Sequence, residues 1–98
     1  MERIVIEVRR TGEDDLLEFE VVLREGGSES RHLVTIASDA CERLTKGACT
    51  PENCLEAAFR FLLDREPKES ILRRFDVTMI SRYFPEFERK LPRYLPQA

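Results

Sequence analysis

His32 is the only histidine in the chain. With Cys41, Cys49 and Cys54 it makes up the whole stock of side chains suited to a thiol nucleophile or a soft metal. A nucleophilic cysteine needs a base in contact and a third group to orient that base. His32 lies on the inward phase of a strand-like alternation, and Cys41 and Cys54 fall in helical stretches that would cover it. No local motif ties them together, and a lone in-phase histidine reads as a packed or edge residue. As a zinc set the four would supply three thiolates and an imidazole, a sufficient count. Their spacing, seven and then four intervening residues, argues against the close pair of a chelating knuckle. Cys54 also sits inside a predicted helix, where a buried thiol behaves as a small hydrophobe. Glu13-Asp14-Asp15 clusters carboxylates, but adjacent acids in a turn are solvated, and general acid–base work needs a shifted pKa. Gly26-Gly27 falls between two strands, not between a strand and a helix N-terminus where a phosphate loop operates. The sequence thus assigns no catalytic, cofactor or metal residue and predicts a protein that is not an enzyme. A small enzyme without an identifiable site ranks third among the functional readings.

Arginines and aromatics carry the remaining chemistry. The C-terminal part holds Phe75, Tyr83, Phe84, Phe87 and Tyr94 among Arg73, Arg74, Arg82, Arg89 and Arg93, types enriched where protein interfaces form. The first reading is therefore a small non-enzymatic interaction or regulatory module acting through a protein surface. Arg73, Arg74, Arg82 and Tyr83 are its candidate contacts. The helix layer offers more apolar positions than one small sheet can cover, so self-association through Phe84, Phe87 and Leu91 is a second expectation for partners. The alternative is DNA binding through a helical segment at 68–90, whose residues 71–83 resemble a helix-turn-helix presenting Thr78, Ser81 and Arg82. Against it stand Asp76 where such turns often carry glycine, a short second helix ended by Pro85, and a pI near 5.3, the wrong sign for tracking phosphates.

These side chains must be positioned by a simple succession of elements. Ile4, Ile6 and Val8 alternate with Glu7 and Arg9, predicting a strand over about 3–10. Leu17, Phe19, Val21 and Leu23 alternate with acids and Arg24 over 16–25, and His32, Val34 and Ile36 are in phase over 31–37. Polar links at 12–15 and at Gly26-Gly27-Ser28 predict reversals, hence a three-stranded antiparallel β-meander with one apolar face and one of pairable charges. The rest reads as helices over about 39–46, 51–65, 68–75, 77–83 and 86–91, packed on one sheet face. Asp39 and Glu42 resemble a capping box, and Gly47 suits a helix end. Thr50-Pro51-Glu52 is a strong start signal: cap, first-turn proline, acid. The wide apolar stripe through Cys54, Leu55, Ala58, Phe59, Phe61 and Leu62 predicts a helix buried on more than one side. Asp76 is a cap for 77–83, and Pro92 and Pro96 predict a frayed end from about 92. The class is α+β, one domain over 1–98.

Length and composition agree with one core: 98 residues, 42% apolar and 36% charged, well above the usual quarter charged. The longest apolar runs are three residues, far short of the roughly 20 that a membrane helix needs. Charges interrupt the N-terminus where a signal peptide would be apolar. The expected location is cytoplasmic, with reduced thiols. Residues 1–59 carry 7 Lys/Arg against 13 Asp/Glu, and residues 60–98 carry 9 against 6, a polarity that can steer partners or dock helices on strands. Thr50-Pro51-Glu52, the run AAFRFLLDRE (57–66), PKESILRRFD (67–76) and Ile80-Ser81-Arg82-Tyr83-Phe84-Pro85-Glu86 resemble a family of short conserved bacterial proteins known only as uncharacterised. That resemblance covers roughly residues 50–90. It implies a bacterial cytoplasmic origin and a self-contained domain, and it brings no activity, ligand or catalytic residue.

Overall fold

Alternation builds the first part of the fold. The computed structural model describes residues 4–95, the side chain of Glu13 excepted. Strands β1 (Ile4–Glu13), β2 (Leu16–Glu25) and β3 (Ser28–Ala37) pair antiparallel in sequence order. β2 has the expected bounds, whereas β1 and β3 are longer than their apolar patterns suggest. The polar stretch expected to reverse the chain at 12–15 is half strand, because Gly12 pairs with Glu18 and Glu13 with Leu17, and the reversal itself takes only Asp14 and Asp15. A register shift between Arg10 and Gly12 absorbs the irregularity as a bulge. Two residues, Gly26 and Gly27, then suffice between β2 and β3, and Gly26 takes the positive φ of 58° that favours glycine.

The sheet has a fourth strand that the sequence pattern hides. β4 (Arg74–Asp76) runs parallel to β3, with Leu33 opposite Arg74, Val34 opposite Phe75 and Thr35 opposite Asp76. The helix expected over 68–75 is instead a 3-10 turn at Lys68–Ser70 followed by extended chain. Ile71, Leu72 and Phe75 do have helical spacing, but the open side of β3 needs hydrogen-bond partners. Extended backbone supplies them, beginning with Leu33 N–H to the Arg73 carbonyl at 2.7 Å. A parallel partner requires a long crossover, which α1 (Ser38–Thr45) and α2 (Pro51–Leu63) provide.

Helix α1 forms without the predicted capping box. Its N-cap is Ala37 with no side-chain bond, and Asp39 accepts from the Ala40 N–H instead. It stops through Lys46 and Gly47, both left-handed at φ 56° and 72°. Helix α2 starts as its signal dictates, the Thr50 hydroxyl accepting from Asn53 N–H at 3.1 Å with Pro51 in the first turn. The Arg10 guanidinium grips Glu52 in that turn through two bonds of 3.0 and 2.9 Å, fastening β1 to the helix. Burial works to raise the Glu52 carboxyl, but Arg10 holds it below its ordinary value.

Helix α2 is the hub of the core. Phe59 faces β3 and β4, where its ring meets His32 at 5.5 Å and Phe75 at 5.9 Å. Phe61 faces the C-terminal layer: a 3-10 turn at Val77–Met79 that runs into α3 (Ile80–Tyr83), then α4 (Phe87–Lys90) and a 3-10 turn at Leu91–Arg93. Phe84, Phe87 and Tyr94 all meet the Phe61 ring edge-on at 5.1–5.9 Å. The C-terminal aromatics therefore close the chain's own core. Phe87 and Leu91 are completely buried, which leaves only Phe84 partly exposed of the three residues expected to carry self-association. Pro85 separates two helices. The end expected to fray from 92 stays docked through Tyr94, whose hydroxyl donates to Asp64 at 2.6 Å; residues 96–98 lie outside the described residues.

The face of the sheet away from the helices carries the predicted charge lattice. Arg9 pairs with Glu20, Arg24 with Glu7 and Glu29, and Arg31 more loosely with Glu20 and Glu29 at 3.5 Å.

Candidate functional site

The site grows from His32. Strand β3 turns this residue inward, where it is 1% exposed. Its Nδ1 lies 2.7 Å from the Leu72 carbonyl and its Nε2 lies 2.9 Å from the Ser30 hydroxyl. A carbonyl only accepts, so Nδ1 carries the proton, and Nε2 accepts from Ser30. Burial lowers the imidazole pKa, the bond to Leu72 opposes that, and the charge of Arg73 adds to the lowering. A neutral ring with both nitrogens engaged is neither a base nor a ligand. It clamps residues 71–74 as they cross from the 3-10 turn into β4. Sequence reading placed His32 in the packed layer, but the partner on Leu72, 40 residues away, leaves no local signal.

That crossing presents different chemistry on its two sides. On one side, Ile71, Leu72 and Phe75 line an apolar groove of about 410 Å³ together with Leu62, Met79, Ile80, Tyr83 and Phe84. Leu72 is 50% exposed and Tyr83 63% exposed at its rim. Glu66 and Ser70 are its polar lining residues. Glu66 makes no ion pair among the described residues, and burial pushes its carboxyl above the ordinary range. Toward the other side, Arg73 and Arg74 join Arg31, Leu33 and Glu20 around a shallow recess of about 320 Å³.

The four sequence-predicted contacts are all exposed. The structure brings Arg73 and Arg74 together on the recess and sets Tyr83 on the groove, with Arg82 beside it in α3. Arg73, Arg74 and Arg82 make no ion pair among the described residues, whereas Arg9, Arg24 and Arg31 on the sheet all do. Leu72, Ile71 and Met79 were missed because the groove exists only once 71–74 is extended. Lys68 was missed as well: its side chain is 3% exposed and paired with Glu69, an arrangement that no sequence pattern signals.

The scaffold that a helix-turn-helix requires is not present at 68–90. Its first helix is a turn and a strand, and its second amounts to the 3-10 turn at Val77–Met79 and the four residues of α3. The cysteines do not gather with His32. Cys41 and Cys54 are buried against each other between α1 and α2, and burial, with Cys41 beside it, pushes the Cys54 thiol up to about 12. No group of three or more metal-ligating side chains is assembled among the described residues. None of their helices is long and apolar enough to cross a membrane.

The chain matches no family model, no curated protein and no solved structure.

Proposed function

We propose that this protein is a small interaction module, and that its surface is the clamped crossing at 71–74. The occupant is an acidic segment of a partner protein that carries one large apolar side chain. The apolar residue enters the groove beneath Leu72 and Tyr83, and flanking carboxylates lie on Arg73 and Arg74. One observation carries this reading. Half-exposed Leu72 over an apolar groove is followed in the chain by two arginines that have no counter-ion among the described residues. An apolar centre edged by arginine is the composition of an interface hot spot. Glu66 fits the same picture, since a raised carboxyl in an apolar lining disfavours a second acid there and sends the partner's acids outward.

Selection of a random-peptide display library on the immobilised protein tests the proposal. The expected consensus is a large apolar residue with Asp or Glu nearby. Affinity for a selected peptide should fall about tenfold or more in Leu72→Asp and in Arg73→Glu/Arg74→Glu, and should decline with added salt. A consensus of basic residues, or affinity unmoved by both variants, would overturn it. Nucleic acid that binds through the same arginines, at low salt only, would replace the proposal with the electrostatic alternative.

A further inference from the structure

We infer that the free edge of β1 pairs with β1 of a second copy of this chain, fusing two four-stranded sheets into one of eight strands. β1 ends the strand order, and among the described residues its backbone bonds only to β2. Alternate residues of an antiparallel strand aim their N–H and C=O groups away from the partner. A ten-residue edge therefore carries a long row of open groups, whereas the other edge, β4, is only three residues.

The sequence of that edge is complementary to itself. Residues 6–10 run straight before the bulge between Arg10 and Gly12. A two-fold axis through Val8 sets Glu7 against Arg9 of the second copy and Arg9 against Glu7. The two Val8 side chains then meet on the helix side. Axes through Glu7 or through Arg9 would oppose two like charges directly, which is destabilising. An axis between residues would set side chains of opposite faces directly across from each other, Glu7 against Val8, which the pleat of an antiparallel pair does not accept. Only the Val8 axis continues the existing ion-pair lattice across the seam. It also brings Thr11 of the second copy beside Val5, one of the few large apolar side chains left half-exposed at 50%. A depression of about 720 Å³ beside Ile4, Val5, Ile6 and Leu63 leaves room for the end of that incoming strand.

Charge exchange at the seam tests the pairing by light scattering coupled to size exclusion. Wild type should elute as a dimer. Glu7→Arg and Arg9→Glu each place like charges across the seam and should elute as monomers. Both lie on the exposed face in surface ion pairs, so each variant should keep its fold, as circular dichroism can verify. Mixed in equal amounts, the two monomeric variants become complementary and should form a heterodimer. The double variant Glu7→Arg/Arg9→Glu should be a dimer again. A monomeric wild type, a dimer indifferent to both reversals, or variants that fail to associate on mixing would each overturn the inference. Every such outcome leaves the groove reading untouched, because β1 and β4 lie at opposite edges of the sheet.

Discussion

One imidazole decides where the crossing strand begins. His32 donates to the Leu72 carbonyl and accepts from Ser30, so the neutral ring is the form that the fold requires. Protonation would remove the acceptor that Ser30 uses and would put a second positive charge beside Arg73. Arg31 and Arg74 border the same recess, with only Glu20 to offset them. The folded pKa is lowered from 6.5, so below that value the unfolded chain binds a proton that the folded chain refuses. Stability from this group is fully present above about pH 6.5 and is lost as pH falls toward the folded pKa. Urea unfolding between about pH 7 and 5 should show this decline. His32→Leu should cost about 1–3 kcal/mol at neutral pH, because the part-buried carbonyl of Leu72 loses its side-chain donor. The same variant should flatten the slope in that window. A variant that keeps the slope would show that another group titrates there. The sequence placed His32 on the inward phase correctly because alternation is local, while the identity of its partner is purely tertiary.

At the scale of elements, Arg65 does for the C-terminal layer what His32 does for the crossing. Its guanidinium lies 3.6 Å over the Phe61 ring, donates to the Phe61 carbonyl and to Glu86 at 3.2 Å, and reaches the Tyr94 hydroxyl at 3.5 Å. It thereby ties both ends of 86–94 to the end of α2. Arg65→Ala should raise hydrogen exchange across 86–94 by at least about tenfold and leave β1–β3 protected, the sign of local rather than global opening. Uniform loss of protection would mean that the layer and the sheet form one cooperative unit. The elements themselves were unevenly legible. Thr50-Pro51 and the cap at Asp76, which accepts from the Thr78 N–H at 2.9 Å, are short-range chemistry and read correctly. The three-residue β4 is too short to show alternation. The spacing of Ile71, Leu72 and Phe75 across that segment mimics a helix, and only the unmet hydrogen bonds of β3 decide otherwise. The apolar groove was illegible for the same reason, although Arg73, Arg74, Arg82 and Tyr83, chosen as candidate contacts by residue type, are all exposed.

For the whole molecule, the two inferred surfaces occupy opposite edges of one sheet, and their combination has a consequence that neither has alone. In the β1-paired dimer the strand order runs from β4 of one copy to β4 of the other. At about 4.8 Å per strand the two crossings stand roughly 34 Å apart, facing outward. Each keeps its own groove and its own arginines, so peptide should bind one per chain with equal affinity and no cooperativity. On a surface dense in the same peptide, the dimer can engage two sites at once, and its dissociation should slow by about tenfold or more relative to a monomer. Glu7→Arg separates the two effects, since it opens the seam without touching the groove. This variant should keep the wild-type affinity in solution and lose the slow dissociation from the dense surface. Equal surface dissociation for variant and wild type would mean that the dimer cannot span two peptides. A drop in solution affinity would show instead that the β1 edge and the β4 crossing are coupled through the sheet.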